Sequence, residues 1–167
     1  MALQMHMKME GINGESKSYA HKGWAEVLSW NWGMTSNRKL SGNVKDDKTN
    51  LNEISIIKSI GSDSAQIRMF FADGKVIPSV EFAVFPVVGK REVQVKYLNI
   101  TLEDVVIKSV VTGGNMEESF FKEHISLLFD RIRFSYNKAG AAVSGNDTAP
   151  EEFKFCWNVQ GNGVWAQ

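Results

Sequence analysis

The sequence has little cysteine, little proline and no excess of charge of either sign. Its 167 residues include 1 Cys and 3 Pro, and lysine plus arginine equals aspartate plus glutamate at 19 each. A single thiol cannot form an internal disulfide. Because nucleic-acid-binding proteins are usually basic, a net charge of +0 predicts no nucleic-acid partner.

Long apolar runs are also missing. No stretch approaches the roughly 20 apolar residues that a membrane helix requires, so we expect no membrane insertion. Met1–Glu10 alternates polar and apolar residues where a signal peptide would be continuously apolar. Any export is therefore expected to use no cleaved leader. The length predicts one domain spanning residues 1–167.

What the sequence does contain is alternation with a period of two, which predicts half-buried strands. The clearest examples are Leu3–Met9, Trp24–Gly33 and Phe153–Gln160. In the second, Trp24, Leu28, Trp30 and Trp32 share one face, while Ala25, Val27, Ser29 and Asn31 share the other. The apolar phase changes within Glu118–Tyr136, which predicts a bulge or bend near Asp130.

One helix is expected at about residues 62–73. Ser62 or Ser64 could cap it, Gly74 would end it, and Ala65, Met69 and Ala72 recur at helical spacing, with Ile67 and Phe70 nearby. Residues 34–51 are almost free of apolar side chains and predict an extended loop, of a size that is usually functional.

Two strands are apolar on both faces, Glu81–Val88 and Val105–Val111. Such strands are covered on both sides, here either by the helix or by another subunit. Many short strands with one helix favour a sandwich or a closed barrel.

The sequence offers little support for catalysis. Glu103 and Asp104 are adjacent in a strand and project to opposite faces. His6, His21 and His124 lie far apart without metal-ligand spacing, and Cys156 has no cue for a lowered pKa. We expect no catalytic residues, no metal and no cofactor, and histidines that are structural or exposed.

Several segments resemble the haemolysin-coregulated proteins (Hcp), the tube subunits of the bacterial type VI secretion system. The main ones are His21–Gly33, Tyr97–Val105, Ser109–Gly114 and Trp157–Val159, with Gly11–Lys17 and Ile57–Ile60 in support. The resemblance implies a two-sheet closed β-barrel with one short α-helix and an extended loop, and no chemistry. It also implies homo-hexameric rings that stack into a hollow tube.

The resemblance further implies partners and a route. A contractile sheath would drive the tube, tipped by a VgrG-type spike, out of the bacterial cytoplasm, with effector proteins carried in the lumen. The subunit would then be secreted.

Two sets of site residues follow. Because Trp30 and Trp32 are expected in the core, Ser29 and Asn31 point away from it, and the resemblance places this face on the channel wall. The matching loop in relatives joins stacked rings, which assigns ring stacking to its charged residues: Arg38, Lys39, Lys45, Asp46, Asp47 and Lys48. Two other classes remain open, a phage-type tail tube subunit and a small-ligand carrier barrel of the lipocalin type.

Overall fold

The computed structural model describes residues 2–38, 40, 49–88, 91–92, 97–138 and 151–165. This part of the chain is mainly β with one short helix, as predicted. The elements are β1 (Ala2–Met9), β2 (Ala25–Glu26), β3 (Ser29–Asn31), β4 (Met34–Ser36), β5 (Thr49–Leu51), β6 (Ile54–Ser59), α1 (Ser64–Ala72), β7 (Ile77–Val88), β8 (Arg91–Glu92), β9 (Leu98–Gly113), β10 (Lys122–Asn137), β11 (Glu152–Asn158) and β12 (Gly163–Val164).

Ten of these strands form one antiparallel sheet. Its main order is β12-β11-β10-β9-β7-β1-β2, with β6 joining β10, β3 joining β6, and β8 joining β7. β4 and β5 form a separate two-stranded antiparallel sheet. The first and last residues of the segment predicted as a loop, 34–51, are therefore paired strands.

Strand pairing does not close the described sheet into a barrel, so the predicted closed barrel is not confirmed. The break lies within the segment predicted as a single strand, Trp24–Gly33. Its first part, β2, pairs with β1, and its last part, β3, pairs with β6. Between them the Val27 amide donates to the Met5 carbonyl, whereas the Leu28 amide donates to the Ile57 carbonyl. The chain changes neighbours at this step.

Because of this change of neighbours, the predicted inward and outward faces are wrong for the first part of the segment. Ala25 and Val27 are buried at 6% exposure each, whereas Leu28 is 42% exposed. Trp30 and Trp32 pack against the core as expected. The alternation therefore reverses its phase between Val27 and Trp30, because each half faces a different neighbouring strand.

The helix also differs in detail from its prediction. Asp63, not a serine, occupies the N-cap position, and its side chain makes no capping hydrogen bond. Of the predicted apolar residues Ile67 is buried, together with Ser64, whereas the series Ala65, Met69 and Ala72 is exposed and does not form the inward face. Gly74 follows the helix with φ +61°, which is the expected stop.

β10 changes its neighbour along one edge. Lys122–Leu127 pairs with β6 and Arg131–Asn137 pairs with β11, while β9 lies along the other edge throughout. The buried positions are odd-numbered up to Phe129 and include the even-numbered Ile132, so the inward phase changes close to Asp130. The register shift in the ladder with β9 lies between Ser126 and Leu127, and not at Asp130, where the bulge or bend was predicted.

The apolar strand β7 is buried on both faces from Phe82 to Pro86 by its own chain. Phe85 is 1% exposed, and its ring stacks on those of His6 and His21, with centroids 5.3 and 4.6 Å away. Trp24 meets His21 edge-on at 4.7 Å. This aromatic group covers the second face of β7. The sequence had predicted that the helix or another subunit would cover that face.

Candidate functional site

The predicted channel residues Ser29 and Asn31 lie on β3, which is the first of four neighbouring strands, β3, β6, β10 and β9. Across the ladders, one row consists of Ser29, Ile57, His124 and Val111. The next row consists of Asn31, Ser55, Ser126 and Ser109. Residues between these positions, such as Ile56 and Ile125, are buried in the core. We call the surface made by these two rows the outer face.

The structure brings the two predicted channel residues together on this face. Ser29 and Asn31 are both exposed, on either side of the half-buried Trp30. The outward direction inferred from period two therefore holds. That the face lines a channel stays a prediction.

A groove of about 700 Å³ crosses the outer face. Its floor includes Leu28, Ser29 and Ile57, and its rim is the turn from β9 to β10. At this turn a Cβ on Gly114 would lie 2.1 Å from the Phe121 ring, so only glycine permits this packing. The sequence did not reveal the groove, because it depends on strand order.

The predicted stacking residues are only partly described. Arg38 is exposed beside the hairpin, and its guanidinium donates to Thr49 Oγ1 at 3.3 Å. Lys39, Lys45, Asp46, Asp47 and Lys48 lie outside the described residues.

Behind the outer face lies a buried ionic cluster. Lys58 Nζ donates to Glu123 Oε1 at 2.8 Å, to Asp63 Oδ1 at 2.9 Å and to the Ser59 carbonyl at 2.7 Å. Lys58, Asp63 and Glu123 are at most 3% exposed. All three protons of the ammonium therefore have acceptors away from water.

The cluster extends to α1 and β9 through Arg68. This guanidinium donates to Glu123 Oε2 at 2.9 Å and also to Thr112 Oγ1, while Ser64 Oγ donates to Glu123 Oε1 at 2.8 Å. Burial by itself raises the pKa of Glu123, but hydrogen bonds from Lys58, Ser64 and Arg68, with the Lys58 charge, lower it below its ordinary value. Glu123 is thus a carboxylate that joins β6, β10 and the helix, and Arg68 extends the cluster to β9.

The sequence alone did not reveal this cluster, although a signal was present. Lys58 continues the inward series Ile54 and Ile56, and Glu123 begins the inward series that continues with Ile125. Opposite charges on the inward phase of two strands indicate a buried pair, provided that the strands are neighbours. Their pairing is visible only in the structure.

The histidines fall into two environments. His6 and His21 are buried and stacked at 5.3 Å, although 15 positions separate them in the sequence, whereas His124 is exposed on the outer face. Cys156 is half-buried in β11, opposite Arg133. Among the described residues no three His, Cys, Asp or Glu side chains group as metal ligands. No helix in the described ranges has the length and apolar character to cross a bilayer.

Comparisons with known proteins show to which class of protein this chain belongs. A family model described as "Type VI secretion system effector, Hcp" matches residues 6–136, which is most of the chain. The protein is therefore a component of the type VI secretion system. More particularly, it belongs to the Hcp family of secreted effector and tube proteins.

Individual relatives agree with this assignment. Protein hcp1 of Pseudomonas aeruginosa is 32% identical over 166 residues, covering 97% of this chain and 98% of its own length. The fold matches Hcp1 from Salmonella typhimurium with a TM-score of 0.79 at 22% identity, over 99% of this chain and 100% of that one. A structure described as a type six secretion system protein matches with a TM-score of 0.82 at 18% identity, over 97% and 99%.

Proposed function

We propose that the whole chain, residues 1–167, is one tube domain, six copies of which form a ring. Rings then stack into the hollow inner tube of a type VI secretion system. Membership of a family that assembles into such tubes supports this proposal. The role is structural, without a catalytic step.

The observation that carries the proposal is a pair of open strand edges. β3 pairs with β6 along one edge only, and β9 has no partner opposite β10 beyond Val105 in the part of the chain that is described. Open edges are templates for pairing with another chain. Because these two edges bound the same four strands, edge-to-edge contact between copies would be head-to-tail. Such contacts form a ring where the rotation from one copy to the next closes, as the family's tubes require.

In this arrangement the outer face lines the channel. Ser29 and Asn31 then present small polar groups to effector proteins in the lumen. Such a surface remains hydrated, so unlike cargoes can occupy the channel without sticking.

Ring stacking is assigned to the charged segment that contains Arg38, Lys39, Lys45, Asp46, Asp47 and Lys48. Pairs of opposite charge contribute only about 0–1 kcal/mol each, but every subunit around the ring repeats them. Deleting residues 37–48 should leave rings and abolish tubes. Tubes that persist unchanged would show that another surface stacks the rings.

The proposal also includes the expulsion of the tube from the cell. A contractile sheath would expel the tube with a VgrG-type spike, and the subunit would leave the cytoplasm with it. A phage-type tail tube subunit is the second candidate, because it would use the same open edges. A ligand carrier is disfavoured, because Trp30 and Trp32 pack against the core instead of lining a cavity.

Sedimentation and electron microscopy test the proposal directly. The ring predicts a species about six times the 18.7 kDa subunit, with a visible central hole. A monomer at high protein concentration would refute the ring.

A further inference from the structure

The groove on the outer face has an apolar floor that is open to solvent. Leu28 is 42% exposed and Val111 is 60% exposed, and the half-buried Ile57 lies in the strand between β3 and β10. Ile57 is opposite Ser29 on one side and His124 on the other. This row is more apolar than the neighbouring row of three serines and Asn31.

Hydrogen-bond donors stand beside this floor. Lys122 and His124 are two positions apart on β10, so both project from the outer face. Lys122 lies over the Phe120 ring at 5.8 Å and forms no ion pair within the described residues. Glu118, on the rim, also has no ion-pair partner there.

We propose that this groove binds a segment of a carried protein that combines apolar with acidic side chains. The apolar side chains would cover Leu28, Ile57 and Val111, and a carboxylate would accept from Lys122 and His124. The inference deepens the proposed function and rests on it, since only a ring makes this face a channel wall.

Charge complementarity selects the acidic partner. Lys122 supplies a permanent positive charge at the edge of the floor, and His124 supplies an N–H donor at any protonation state. Glu118 lines the same groove from the turn, whereas both donors lie on β10. A basic segment would meet Lys122 with like charge, and a purely polar segment would leave the apolar floor uncovered.

The test uses the full-length protein and fluorescein-labelled peptides of roughly eight residues. One peptide alternates Leu with Glu, one alternates Leu with Lys, and one alternates Ser with Glu. Fluorescence anisotropy should show tightest binding for the Leu-Glu peptide. Lys122→Glu should weaken that binding about tenfold and Val111→Ser about threefold. About 0.5 M NaCl should weaken it as well, by screening.

Lys17→Glu is the matched control, because it makes the same charge change at an exposed position elsewhere. It should leave binding unchanged. Equal weakening by Lys17→Glu and Lys122→Glu, or preference for the Leu-Lys peptide, would overturn the inference.

Sedimentation of each variant separates the two proposals. Intact rings that bind all three peptides equally, or none, would refute the groove and leave the tube proposal standing. A monomer that still shows the expected peptide and variant pattern would refute the tube proposal, while supporting the groove as an acidic-apolar binding surface.

Discussion

The two faces of β6 and β10 carry charge in opposite ways. On the inner face, Lys58 and Glu123 are buried and have all their partners within the chain. On the outer face, Lys122 and His124 are accessible to solvent, and Lys122 has no carboxylate partner among the described residues. One face of these two strands therefore carries charges that stabilise the fold, and the other face carries charges that are available to bind a partner.

The difference follows from solvation. A buried charge loses its hydration, which costs several kcal/mol, so it persists only with good geometry and full hydrogen bonding. An exposed charge keeps its water and needs no partner. Losses of stability should therefore concentrate on the inner face, and losses of binding on the outer face.

Breaking the inner cluster should have the largest effect. Lys58→Met leaves two buried carboxylates, Asp63 and Glu123, without their shared cation. We expect the free energy of unfolding to fall by about 3–5 kcal/mol, measured by urea denaturation. The exposed control Lys17→Met should change it by less than about 0.5 kcal/mol.

A double variant tests whether these groups act as one unit. Lys58→Met combined with Glu123→Gln should cost less than the sum of the two single changes, because the second removes a charge that the first left unpaired. Strictly additive losses would contradict the cluster.

Acid should remove part of the same stabilisation. The pKa of Glu123 is lowered in the folded state, so its contribution is complete above the unfolded glutamate value of about 4.3 and is lost as pH falls through the folded value. Wild type should exceed Glu123→Gln in stability most clearly above about pH 5. The gap should narrow in denaturation curves taken below about pH 4. A gap that stays constant from pH 7 to pH 3 would count against this linkage.

Alternation in the sequence was enough to predict the longer strands, because side chains of a strand face opposite sides whatever lies beside it. It failed where the chain changes neighbours, as at Val27–Leu28, since no local pattern shows which strand lies alongside. It also failed for α1, whose inward residues Ser64 and Ile67 are selected by contacts with distant strands.

The candidate site shows the same division. Period two was sufficient to direct Ser29 and Asn31 outward. The groove was not predictable, because Leu28, His124 and Val111 meet only through the order of four strands. The Lys58–Glu123 pair is intermediate: each residue interrupts an inward apolar series, but their contact needs the pairing of β6 with β10.

Adjacent residues of β3 provide a direct test of the two faces. Trp30 packs against the core, whereas Asn31 is exposed. Trp30→Ala should lower the free energy of unfolding by about 3 kcal/mol, at the low end for a tryptophan because the side chain is only half-buried. Asn31→Trp should change stability by less than about 0.5 kcal/mol and leave rings intact, but reduce export of a small effector.

Thermal denaturation and a secretion assay measure these two effects separately. Unchanged export by intact Asn31→Trp rings would remove Asn31 from the channel site. Equal loss of stability in both variants would show that the two faces of β3 are not distinct.

The smallest effect is expected for an exposed ion pair. Lys108 contacts Glu53, with the two side chains 53% and 33% exposed. Lys108→Met should cost at most about 1 kcal/mol, since both groups keep much of their hydration. Adding about 0.5 M NaCl should erase this loss, because exposed charges are screened, while the loss from Lys58→Met should persist, because water and ions do not reach Lys58. Urea denaturation of both variants at low and high salt makes the comparison. If the two losses responded alike to salt, burial would not be what separates the structural charges of this protein from its available ones.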